Sequence, residues 1–175
     1  LNRSRFIAKE NTQMPAPSRI AEAAHSFHMN SSLLKKSFEG LNPEEWLRRP
    51  SDNSNHLLWI VCHMVWARGN TLGFLGTPWS TPWSSLFGRG AKLTDSAEYP
   101  TPEEAVQAFG EVGRLLKTAF DEVSEETLSA ASTVKVPSAD GTLGGVINFL
   151  AYHDTYHTGQ VAFLRCWLGH EGVAG

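Results

Sequence analysis

The chain has little of what marks several protein classes. Cysteine occurs twice in 175 residues, at Cys62 and Cys166, and neither belongs to a C-x-x-C pair. That argues against a disulfide framework and leaves two thiols expected to be buried in a reducing compartment. No basic run exceeds two residues (Lys35–Lys36, Arg48–Arg49), and the formal net charge is −3. A mildly acidic chain without a basic stripe is not built for nucleic acid. The longest apolar run, Leu57 to Ala67, is about half the length that spans a bilayer, and His63 interrupts it, so no membrane span is expected. Residues 1–17 carry Arg3, Arg5, Lys9 and Glu10 and no apolar stretch, so they are not expected to be a signal peptide. A cytoplasmic protein is the expectation. Sequence that favours β-structure is nearly lacking, and Ser132 to Val136 is the one short piece.

What is present is helical periodicity. Proline and glycine divide the chain into four long amphipathic patterns. The first runs from about Ser18, a cap, to Glu39, with Gly40 as its stop. Ile20, Ala24, Phe27, Ser31, Leu34 and Phe38 form its stripe. Asn42-Pro43-Glu44-Glu45 reads as the start of a short helix that Pro50 ends. The second pattern covers about Ser54 to Leu75. The third begins at Thr101-Pro102-Glu103-Glu104, and the fourth covers about Thr142 to Leu168. One domain over 1–175 is expected, with an arm at 1–17 and a core at about 18–169. It is all-α, a four-helix bundle with a long connection from Gly76 to Pro100 between the second and third helices.

The chemistry concentrates on the fourth pattern. At ~100° per residue, one face carries Val146, Phe149, Leu150, His153, Tyr156, His157, Gln160, Val161, Leu164, Trp167 and Leu168. That face is expected to look into the core, with four polar side chains at its middle. A buried polar group without a partner costs about 1–3 kcal/mol, so these four must satisfy one another, bind water or bind a ligand. His153 and His157 stand at i and i+4, where two imidazoles can reach one metal ion. H-x-x-x-H is a weak signal alone, and no Glu follows His153, which excludes the H-E-x-x-H pattern. The apolar face makes it stronger. The second helix offers His56 and His63, two turns apart on one stripe. His63 is surrounded by apolar neighbours and is the preferred third ligand. His56, in the first turn, reads as an exposed or capping residue.

Other polar residues carry more ordinary readings. Gln160 could bond a ligand imidazole or be a packing amide. Tyr156 could direct its hydroxyl to the site or be a core aromatic with its hydroxyl at the rim. Asn70 reads as a surface residue or a pocket donor, and Arg165 as a salt-bridge or interface residue. His25 is expected to be solvated, His28 to sit at the stripe's edge, and His170 to lie in the tail. Glu22-x-x-His25 mimics half a di-iron site, but no second copy exists. Trp79, Trp83 and Phe87 in the long connection must pack somewhere, either plugging a gap or covering a pocket. Arg89 and Lys92 beside them read as solvated charges or as attractors of an anionic substrate.

The segment Trp59-Ile60-Val61-Cys62-His63, taken with His153-Asp154-Thr155-Tyr156-His157-Thr158-Gly159-Gln160 and Arg165, resembles the DinB/YfiT-like superfamily over about Ser18 to Gly169. The resemblance implies an up-down-down-up four-helix bundle. It implies a divalent metal, zinc or nickel, held by His63, His153 and His157. Many members have Glu where this chain has Asp154, a position that points ~100° from His153 and so toward the flank. Three imidazoles leave a coordination position open, as catalytic zinc sites do. The resemblance further implies a small-molecule substrate and either metal-dependent hydrolysis or S-transfer and isomerisation through a low-molecular-weight thiol such as mycothiol, bacillithiol or glutathione. The alternative is a non-catalytic, stress-related bundle that its metal stabilises. Finally, the second helix is apolar nearly all round, with Leu57, Leu58, Val61, Met64 and Val65 opposite its histidine stripe. Such a helix needs a second cover. A homodimer with Leu58, Val61 and Val65 at or near the interface is expected, ahead of cover by the long connection or the arm.

Overall fold

The computed structural model describes residues 16–94 and 96–173. Most of the N-terminal arm lies outside the described residues. Five helices occur among those described: α1 (Ala21–Phe38), α2 (Leu57–Phe74), α3 (Pro102–Glu122), α4 (Glu125–Ser129) and α5 (Leu143–Trp167). The segment Ser132 to Val136 forms no strand, and its neighbourhood holds one isolated bridge, Ala131 to Thr142.

The helix ends follow local chemistry. Thr101 and Glu104 form a reciprocal capping box at the start of α3, with Pro102 in the first turn. Thr142 caps α5 by accepting the Gly145 N–H. Gly40 and Gly169 take positive φ values of 77° and 95° just past α1 and α5, where a side chain would be strained. Two expected starts shift. Ser18 opens a 3-10 turn and does not cap α1; its hydroxyl meets Glu125 at 3.3 Å. The short helix expected after Asn42 is a single 3-10 turn, Glu45–Leu47, capped by reciprocal bonds between Asn42 and Glu45.

Pairwise contacts give the helix directions. Phe27 packs on Phe120 and Phe38 on Phe109, so α1 and α3 run antiparallel. Asn30 bonds Asp154 and Arg165 bonds the Ser37 carbonyl, so α1 and α5 run the same way. His63 meets His157 and Arg68 meets Asp154, so α2 opposes α5.

The far side of α2 is covered within the chain. Leu57, Leu58, Val61, Met64 and Val65 are all buried, Leu58 being the most exposed at 3%. They share a cluster with Trp46, with Ala105, Ala108 and Phe109 of α3, and with Phe87 of the long connection. Leu58, Val61 and Val65, expected at or near a dimer interface, are therefore interior residues of the chain, covered by α3 and by the connection. Gly69 permits that approach: a Cβ there would stand 2.8 Å from the Trp79 carbonyl oxygen. Burial of each large side chain contributes about 1.5–3 kcal/mol. Of the two cysteines, both expected to be buried, Cys62 is buried and Cys166 is exposed. Burial pushes the Cys62 thiol up, so it stays protonated.

Candidate metal centre

His63 is held from three sides. Its ring lies between the indoles of Trp59 and Trp66, with centroids 5.2 and 5.4 Å away and interplanar angles of 9° and 26°. These residues stand four before and three after it, on the same helix face. Its Nδ1 is 2.7 Å from the Phe87 carbonyl oxygen. A carbonyl only accepts, so Nδ1 carries the hydrogen and Nε2 presents a lone pair. His157 is set in the same way. Its Nδ1 donates to Gln160 Oε1 at 2.7 Å, and Gln160 Nε2 donates to the Tyr156 hydroxyl at 3.2 Å. The amide orientation of Gln160 and the tautomer of His157 are assigned together in this network.

The freed Nε2 atoms converge. His153 Nε2 is 3.3 Å from His63 Nε2 and 3.1 Å from His157 Nε2. Nitrogens held 2.0–2.1 Å from a tetrahedral ion stand about 3.3 Å apart, which matches the two separations from His153, and all three ligand atoms lie within 4.8 Å of one another, so the residues present fit one divalent ion. His63, His153 and His157 are a group of three possible ligands among the described residues. Burial lowers the pKa of each, to about 4 for His157. Neutral imidazoles, the form that binds metal, are therefore the resting state at neutral pH.

Behind the histidines lies a buried ion pair that periodicity did not reveal. Arg68 is 1% exposed and Asp154 3%. Arg68 Nε and Nη2 donate to the two carboxylate oxygens of Asp154 at 2.8 Å each. Asn30 Nδ2 donates to Asp154 at 2.8 Å, Arg68 Nη1 donates to Ser31 Oγ at 2.8 Å, and the guanidinium sits 4.1 Å from the Phe109 centroid. Asp154 thus points into the bundle and not to its flank. The buried stripe of α5 runs through Ile147, Ala151, Asp154, His157, Thr158 and Val161, one step round from His153. In consequence Tyr156 is 55% exposed and Trp167 38%, although both were expected on the core face. The signal was present in the sequence: Arg68 is the lone charged residue of α2, and Asp154 the lone acid of α5. A lone charge in an apolar helix needs a partner.

The remaining candidates are elsewhere. His56 caps α2, its Nδ1 accepting the Trp59 N–H at 3.1 Å, and it is buried where exposure was the other reading. His25, His28, Arg89 and Lys92 are exposed. His170 meets Glu45 at 2.9 Å, tying the tail to the turn before α2. Arg165 makes no salt bridge among the described residues; it donates to the carbonyls of Ser37, Glu39 and Glu171 and closes the end of α1. Trp66 and Asn70 line a cavity of about 340 Å³ with Trp79 and the segment Ser80 to Ser85. The long connection therefore does more than plug a gap: Phe87 orients His63, and its neighbours wall this cavity.

The sequence profile of the DinB superfamily matches residues 26–161. The chain belongs to that superfamily. Among solved structures it is similar to a conserved protein of Enterococcus faecalis, with 14% identity, a TM-score of 0.66, and coverage of 83% of this chain and 94% of that one. At that identity the likeness concerns the helical fold. Comparison with curated proteins gives no significant match. None of the helices among the described residues is long and apolar enough to cross a membrane.

Proposed function

We propose that this protein is a cytoplasmic metal-dependent enzyme acting on a small molecule, with His63, His153 and His157 as the ligands of one zinc or nickel ion. The observation that carries the reading is the convergence of three Nε2 atoms, two of them on rings fixed through Nδ1, those of His63 and His157. Three ligands leave at least one coordination position for a reactant. A divalent ion in this setting supplies Lewis acidity toward water or toward a low-molecular-weight thiol, the two chemistries of a hydrolase and an S-transferase. The chain's own residues orient and shield. The Phe87 carbonyl and Gln160 hold two imidazoles in the ligating tautomer. Trp59, Trp66 and Phe87 keep water from the buried side of His63. Gln160 is a positioning residue for His157, and the half-exposed Tyr156 hydroxyl, bonded to Gln160, stands at the rim where a substrate enters.

Metal analysis and a reactivity screen test this reading. The purified chain is expected to hold one equivalent of zinc or nickel, and His157→Ala to hold none. The loaded protein is then offered mycothiol, bacillithiol, glutathione, and ester and amide substrates. Failure to take up metal sinks the reading. Metal uptake with no reaction in any arm leaves the metal-stabilised bundle as the better description.

A further inference from the structure

A second recess lies away from the metal centre, between α1 and α3. It measures about 820 Å³, within the ~300–1,000 Å³ of small-molecule sites. It exists because small residues face each other across the two helices: Ala21, Ala24 and Ser31 on α1, and Gly110 and Gly113 on α3. Gly113 is needed for that shape. A Cβ there would stand 3.2 Å from Arg68 Nη1 and 3.4 Å from Ser31 Oγ. Phe27, Phe38, Phe109 and Phe120 give the recess aromatic walls.

Its charge is one-sided, in a chain whose formal net charge is −3. Lys35, Arg68, Arg114 and Lys117 line it, and Asp121 is the one acid among the described lining residues. Arg68 is neutralised by Asp154 and Lys117 by Asp121. Lys35 on one lip and Arg114 on the other are exposed and have no ion-pair partner among the described residues. The antiparallel register that sets Phe38 against Phe109 and Phe27 against Phe120 brings Lys35 and Arg114 to similar heights on the groove. An apolar trough with two cations at its mouth, unpaired among the described residues, suits an alkyl chain ending in a carboxylate.

We propose that the α1–α3 groove binds a fatty-acid-like alkyl carboxylate, its chain along the phenylalanines and its head group between Lys35 and Arg114. The segment before Ala16 is the competing occupant, since Ala16 lines one end of the groove. Residues 1–15 hold three basic side chains (Arg3, Arg5, Lys9) against one acid (Glu10), the wrong sign for this mouth. The inference is independent of the metal centre.

Calorimetry of the full chain with dodecanoate below its micelle concentration tests the proposal, with dodecan-1-ol as the uncharged control. One saturable site per chain is expected, with the alcohol weaker by about tenfold or more. Lys35→Gln with Arg114→Gln lowers dodecanoate affinity by a similar factor and leaves alcohol binding unchanged. Gly110→Leu places a side chain in the groove and is expected to abolish both; a Cβ at Gly110 meets nothing within 4 Å, and circular dichroism checks that the helices are kept. His157→Ala binds dodecanoate as the parent chain does. The proposal is overturned by any of four results: no saturable binding, equal affinity for the alcohol, loss of binding in His157→Ala, which puts the carboxylate at the histidines, or binding that appears only after residues 1–15 are removed.

Discussion

Arg68 and Asp154 face each other through two parallel 2.8 Å bonds, and Asp154 stands next to His153 in the chain and three residues before His157. The pair fixes α2 against α5 at the height of the histidines, and Asn30 and Ser31 add α1 to the same joint. An ion pair this deep is weak evidence for net stability, because both charges lost their water. Its effect is on register: it sets which turn of α5 meets which turn of α2. Replacing one partner leaves the other buried and uncompensated. Asp154→Leu is therefore expected to cost about 3–5 kcal/mol in urea unfolding, and Arg68→Met with Asp154→Leu less than either single change. A double variant as unstable as the sum of the singles would contradict this account.

Gln160→Ala removes the acceptor that sets the His157 tautomer and leaves the three imidazoles in place. Zinc affinity, measured by competition with a chromogenic chelator, is expected to fall about 10–100-fold with the fold intact. His157→Ala is expected to lose binding outright. Equal affinities for Gln160→Ala and the parent chain would show that the amide is only packing.

Acid is expected to destabilise the metal-free protein through its buried histidines. Burial lowers His56 to about 4 from an ordinary 6.5. Between those values the unfolded chain binds the proton and the folded chain does not, so stability falls as pH drops from about 6.5 to about 4, and the His56 contribution levels off below that. His56 alone accounts for about 3 kcal/mol over this range. Burial shifts His63, His153 and His157 in the same direction. His56→Asn keeps a side-chain cap on α2 and should flatten part of the slope in a series of melts from pH 7 to 4.

Gly69→Val tests the cover over α2. The added Cβ would meet the Trp79 carbonyl, a backbone atom that cannot swing aside. The connection must shift, at a cost of about 1–3 kcal/mol. Tryptophan fluorescence is expected to change with it, since Trp79 and Trp83 pack against the same core.

Much of this protein is legible from residue order, because the physics involved is local. Periodicity near 3.6 marks α1, α2, α3 and α5. Thr101, Pro102, Glu104 and Thr142 mark two of their starts, and Gly40 and Gly169 two of their stops. His153 and His157 share a face by spacing alone, and His63 stands out as a polar residue in an apolar helix. What periodicity cannot supply is which part of a face looks inward, since that depends on where neighbouring helices lie. The projection centred on His153 placed Tyr156 and Trp167 in the core, and packing left both exposed. It placed Asp154 on the flank, and packing put it against Arg68, 86 residues away in the chain. The orienting carbonyl of Phe87 carries no side-chain signature at all, and only the path of the connection over α2 brings it to His63. The same path, with α3, buries Leu58, Val61 and Val65, whose all-apolar helix had called for a cover, expected from a second copy ahead of the connection. Local chemistry determines the helices and supplies the ligands; long-range packing decides which charges meet, which ring nitrogens are free and which surfaces remain open, because those depend on contacts between residues far apart in the chain.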